Sequence, residues 1–200
     1  MELGQLEKGR GNGQELPTPA YGSTIQSPKG ALVVFFSWTG TTRKVAEAVA
    51  QTLRSRTRVT VEEIRPVRRR GYLERLGMSF IPHSRVRIMP ITSDLSDFDA
   101  LFLGSPKWTF GCPPVNEYLH SLTNFRGKKT MVFLTYGGFD YVRYAREMGS
   151  AIRRRGMDFS EVLMLPREEV EAQACLPKVE AFCWKYLRTS ASARGEGAES

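Results

Sequence analysis

Residues 37–42 read Ser-Trp-Thr-Gly-Thr-Thr, and five of these six side chains can donate a hydrogen bond without carrying a charge. They stand between an apolar run, Ala31 to Phe36, and the start of an apolar repeat at helical spacing. Hydroxyls and bare backbone N–H groups at a helix N-terminus make an anion site. Gly40 lets the backbone approach a ligand closely. The pattern is not a nucleotide-triphosphate loop, because Gly-Lys-Ser/Thr is absent. A grip made chiefly of neutral donors suits a phosphate monoester held permanently rather than one transferred. Arg43 and Lys44 fall inside the helix, where they can simply face solvent. The plain structural alternative is a set of hydroxyl caps on an ordinary helix.

A second stretch with chemical character is GSPKWTFGCPP, Gly104 to Pro114. Trp108 and Phe110 follow a strand-like apolar run, at a place where a folding core has no need of them. A large aromatic at the carboxyl edge of a sheet can stack on a planar ring; the alternative is that it covers the next helix. A third loop, Tyr136 to Asp140, carries Gly137 and Gly138. In open α/β sheets, ligands bind beyond the carboxyl ends of the strands, near the point where strand order reverses. Ser37–Thr42, Ser105–Pro114 and Tyr136–Asp140 all leave such ends.

The elements that must position these loops alternate along the chain. Apolar or alternating runs at Ala31–Phe36, Arg58–Ile64, Asp99–Gly104, Thr130–Thr135 and Ser160–Leu165 predict five strands. The first is apolar throughout, as a strand covered on both faces should be. The second is more polar and belongs at a sheet edge. Val45, Val49 and Leu53 make the stripe of a helix over residues 42–56. Pro113 and Pro114 can open another helix. A third, over residues 140–155, ends in Arg153-Arg154-Arg155-Gly156, a stop signal. Helical pattern resumes over residues 168–187, restarting at Pro177. The predicted fold is α/β, a three-layer sandwich around a five-stranded parallel sheet.

Composition bounds the functions. With 41% hydrophobic residues the chain can bury a core. Residues 1–29, poor in apolar content, read as a mobile arm, 30–188 as the domain and 189–200 as a disordered tail. No apolar stretch approaches the roughly 20 residues of a membrane span. The N-terminus lacks the order of a signal peptide, so the expected location is cytoplasmic. Cys112, Cys175 and Cys183 form no Cys-x-x-Cys motif and are expected as reduced thiols. His83 and His120 lack ligand neighbours, so no metal site is expected. The net charge is +8, and residues 30–188 alone carry 25 basic against 16 acidic groups. That suits an acidic protein partner, a polyanion or an anionic surface. No recognition motif accompanies the arginines, so specific nucleic-acid binding is not expected.

At this point a resemblance is plain. Ser37-Trp38-Thr39-Gly40-Thr41-Thr42 resembles the S/T-x-T-G-x-T phosphate loop of the flavodoxin-like family. Gly104-Ser105-Pro106-Lys107-Trp108 resembles the G-S/T-P-x-W segment with which relatives frame a flavin. The two segments begin 67 residues apart, on the first and third strands. The resemblance covers residues 30–188 and implies strand order 2-1-3-4-5 with FMN bound non-covalently. It implies that Ser37, Thr39, Gly40, Thr41 and Thr42, with Trp38 among them, hold the FMN phosphate. Ser105, Pro106, Lys107, Trp108 and Thr109 would frame the isoalloxazine. Tyr136, Gly137 and Gly138 would approach its other side, with Phe139 as the alternative to Tyr136.

The chain also departs from that pattern. It is basic where typical flavodoxins are strongly acidic, and Thr41 stands where relatives often carry Asn. The link from second to third strand, Arg65 to Phe98, is long. Within it Tyr72, Leu76 and Phe80 recur at fourfold spacing, which predicts a helix that packs on the sheet or forms a docking or oligomer surface. The resemblance implies an electron carrier serving redox partner proteins, acidic ones given the chain's charge. The alternative is an NAD(P)H-dependent FMN or quinone reductase, with arginines serving the NADPH phosphate. Lys107 and the general positive field are expected to stabilise the reduced flavin anion and raise its potential.

Overall fold

In the computed structural model, residues 29–68, 71 and 77–195 are described. The expected N-terminal arm lies outside them except for Lys29, as do Tyr72, Leu76 and residues 196–200.

Ala31–Phe35 forms β1, buried along its whole length. Val59–Glu63 (β2), Ala100–Pro106 (β3), Lys129–Tyr136 (β4) and Asp158–Pro166 (β5) complete a single sheet in the order β2-β1-β3-β4-β5. Every pairing is parallel. β2 sits at the edge and is only half-buried, which is why it tolerates Glu62 and Glu63. The expected flavodoxin-like topology is therefore the observed one.

The alternation of side chains along each strand divides the core in two. Val33, Phe35, Phe102, Met131 and Phe133 face α1 (Thr41–Arg54) and the last helix. Leu32, Val34, Leu101, Leu103, Val132 and Leu134 face α2 (Pro113–Ser121) and α3 (Tyr141–Arg154). A short α4 (Arg167–Glu171) leads into α5 (Leu176–Gly195), with Pro177 in the first turn where its missing N–H costs nothing. α5 continues into the stretch read as a tail, where Ala191, Ala193 and Arg194 favour helix.

β3 and β4 run past the expected ends because their pairing continues through Ser105–Leu134 and Pro106–Thr135, and the Lys107 N–H then donates to the Thr135 carbonyl at 2.7 Å. Gly104 is required within this stretch. A Cβ there would overlap the buried Phe133 ring and lie 2.7 Å from Phe35 Cβ. The long link after β2 returns along itself, with Val67 N–H donating to the Arg87 carbonyl (3.0 Å) and Met89 N–H to that of Arg65 (2.7 Å). All three loops singled out from sequence thus emerge at the carboxyl end of the sheet, the first two at the β1/β3 switch point and the third beside them after β4.

Candidate functional site

The first loop closes over the start of α1. Gly40, the N-cap residue, has φ 92°, a conformation that glycine adopts without a Cβ penalty, and it offers no side-chain cap. No acidic residue lies in the first turn, so nothing there repels an anion from the positive end of the helix. Ser37 Oγ accepts a hydrogen bond from the Arg43 N–H at 3.2 Å and so braces the loop. The hydroxyls of Thr39 and Thr41 lie 3.1 Å apart. Thr42 is buried, its Oγ1 2.8 Å from Thr135 Oγ1 at the end of β4.

A polar cavity of about 190 Å³ opens here, lined by Thr39, Thr41, Thr42, Pro106, Thr135 and Tyr136 among others. Arg167, just past β5, also lines it and donates from Nη2 to Thr39 Oγ1 at 3.4 Å. Sequence reasoning missed this arginine. Nothing local to it signals a site, since folding alone brings it to the cradle.

A larger cavity of about 590 Å³ adjoins the first, bordered by Phe80, Thr109, Phe110, Gly138, Phe139 and Arg143. Trp38, Lys107, Trp108 and Gly137 line both cavities. The two spaces meet at these four residues, threonine-lined on one side and aromatic on the other. Trp108 is held edge-on against Phe36, ring centroids 5.6 Å apart. Lys107 Nζ donates to the Phe139 carbonyl at 2.7 Å and lies 5.4 Å over its ring, which ties the second loop to the third.

Phe80 belongs to the link after β2 and is 53% exposed. Its neighbour Ser79 is buried; the Ser79 carbonyl accepts from the Phe110 N–H at 2.8 Å, and its hydroxyl donates to Thr109 Oγ1 at 3.1 Å. The link therefore builds one wall of the aromatic cavity. Arg143 stands behind Phe110 at 5.2 Å and is neutralised by Asp140 (2.6 Å) and Glu147 (2.7 Å).

Not every expected residue points inward. Ser105 is fully buried, on the same face of β3 as Leu101 and Leu103; its Oγ donates to the Pro106 carbonyl (3.0 Å) and lies 3.4 Å from the Tyr144 hydroxyl. Its side chain serves the core, because β3 extends through it. Tyr136 stacks on Tyr141, centroids 4.0 Å apart, and borders the polar cavity rather than the aromatic one. Partial burial, followed by the Tyr141 hydroxyl, raises the Tyr136 phenol above its ordinary range. Phe139, 87% exposed, is the aromatic of that loop which borders the larger space. Cys112 is in the core and borders neither cavity; Cys175 and Cys183 are also buried free thiols. Among the described residues no group of His, Cys, Asp or Glu is placed to hold a metal ion, and no helix is long and apolar enough to cross a membrane.

Chemically, the polar end fits a phosphoryl group and the aromatic end a flat ring, at a separation set by four shared residues. An uncharacterised protein of Archaeoglobus fulgidus is 36% identical over 158 residues, which are 78% of this chain and 97% of that protein. A solved structure from Bacteroides uniformis is similar in fold, with a TM-score of 0.60 at 24% identity over 74% of this chain and 99% of its own. A Lactobacillus acidophilus flavoprotein, crystallised in complex with FMN, gives a TM-score of 0.56 at 18% identity over 72% of this chain and 97% of its own. The sequence pattern of the flavodoxin family matches residues 30–156, which span the cradle, the Trp108 loop and the first four strands. This chain belongs to the flavodoxin family.

Proposed function

We propose that the chain binds FMN and carries electrons between redox partners. The observation that carries this reading is that the hydroxyl cradle and the aromatic cavity share Trp38, Lys107, Trp108 and Gly137 as lining. The absence of a side-chain cap and of any carboxylate in the first turn of α1 supports a phosphate there. So does the FMN in the Lactobacillus acidophilus protein of similar fold.

FMN, when bound, supplies the redox chemistry, and the protein supplies position and field. Thr39, Thr41 and the amides around Gly40 would hold the phosphate, while Thr42 fixes the cradle to β4. Trp108 and, from the third loop, Phe139 would frame the ring. Lys107, near the ring, favours the form with added negative charge and so raises the potential. The basic surface fits acidic redox partner proteins. Anaerobic reduction of FMN-loaded protein, followed by mixing with an acidic one-electron acceptor protein, tests the carrier role. Electron transfer that slows with added salt is expected; no transfer to any protein acceptor would remove it.

A second reading is an NAD(P)H-dependent FMN or quinone reductase, favoured by the Phe80–Phe110 wall of the larger cavity, edge-to-face at 6.3 Å. Steady-state turnover with NADPH and a quinone, at ordinary enzyme rates, would favour this reading over the carrier.

A further inference from the structure

Arg167 introduces a fixed positive charge into a cradle whose other hydrogen-bonding side chains, Lys107 apart, are neutral donors. It opens α4 directly after β5, 128 residues from the Thr39 hydroxyl that accepts its Nη2 hydrogen at 3.4 Å. Its Nε faces the Glu171 carboxylate at 3.8 Å, one turn further along α4. One edge of the guanidinium is thereby oriented by Glu171, while Nη2 faces the polar cavity. Other cations nearby are engaged elsewhere: Arg43 with Glu63 (2.5 Å) and Lys107 with the Phe139 carbonyl (2.7 Å).

We propose that Arg167 strengthens this site's selectivity for a phosphorylated flavin, its guanidinium meeting the phosphate beside Thr39. The inference rests on the FMN reading above. Hydroxyls and amides already favour FMN over riboflavin, which offers them no phosphate, while ring stacking at Trp108 is indifferent to the phosphate. A guanidinium adds both charge and parallel N–H donors matched to phosphate oxygens. It therefore widens the preference for FMN over riboflavin, and for the dianion over the monoanion. Because a phosphate monoester dianion takes up a proton to become the monoanion near a pKa of about 6, the advantage of FMN over riboflavin should shrink as the pH falls through that value. Half-exposure of the arginine side chain makes the same advantage fall with added salt.

The test titrates the flavin-free full chain with FMN and with riboflavin, followed by flavin fluorescence, in wild type, Arg167→Gln and Arg167→Lys. Riboflavin is the internal control for folding and for the ring pocket. In Arg167→Gln the FMN affinity is expected to fall about tenfold or more, riboflavin affinity to stay put, and the pH and salt dependence of the ratio to flatten. Arg167→Lys should recover part of the loss, since it restores charge without the fork. An unchanged FMN-to-riboflavin ratio in Arg167→Gln overturns the role of Arg167 while leaving FMN binding intact. Wild type that binds both flavins equally also overturns it. Wild type that binds neither overturns the FMN reading, and this inference with it.

Discussion

Thr42 Oγ1 and Thr135 Oγ1 lie 2.8 Å apart, both buried, across 93 residues of sequence. This bond joins the first turn of α1 to the end of β4, so the cradle and the loop that follows β4 hold a fixed separation. Removing one partner strands the other. Thr42→Val should cost about 1–3 kcal/mol, whereas the double variant with Thr135→Val should recover much of that stability, since neither hydroxyl is then unpaired. Urea unfolding of the single and double variants measures this; a double variant no more stable than the sum of its parts would contradict it.

Gly104 leaves the space that the Phe133 ring occupies. Phe133 is fully buried and has nowhere to retreat. Gly104→Ala should destabilise the fold by about 1–3 kcal/mol through overpacking, and the displaced Trp108 loop should weaken FMN binding as well. Thermal unfolding together with an FMN titration checks both effects, and a variant of wild-type stability would argue that the sheet absorbs the methyl group.

Lys107 bridges two loops and stands beside the expected ring position. Lys107→Glu should shift the flavin potential downward, because a negative charge disfavours the reduced anion. Lys107→Gln should shift it in the same direction by less. Equilibration against dyes of known potential reads the shift. No downward movement in either variant would remove Lys107 from the account of the potential.

Burial pushes the Cys183 thiol from 9.0 up to about 12, with Glu180 adding to the rise. The unfolded thiol ionises first as pH increases, so the thiol's contribution is fully present below pH 9.0 and is lost as the pH climbs toward about 12. The stability difference between wild type and Cys183→Ala should therefore narrow over that window. Denaturation at a series of alkaline pH values measures it, and a constant difference would contradict the assignment.

The first strand and the cradle were legible because each obeys a local rule. β1 is apolar on both faces because the sheet is covered on both faces, and the hydroxyl run marks a helix start. Strand ends were less legible: Ser105 looked like part of a loop, yet pairing with β4 carries β3 through it and turns its side chain toward Tyr144. Strict alternation from Leu101 and Leu103 points the same way. Phe80 was visible as an apolar position, but its placement on the cavity depends on the buried Ser79 contacts. Arg167 left no trace in sequence, since its partner in the cradle is brought to it only by the completed sheet.

The most direct measurement is the visible spectrum of the purified protein, before and after equimolar FMN and gel filtration. Retained FMN with oxidised-flavin bands, and flavin fluorescence quenched by contact with Trp108, is the expected result. A colourless protein that releases all added FMN, with its fluorescence undiminished throughout, would contradict a single nucleotide spanning the threonine cradle and the Trp108 ring.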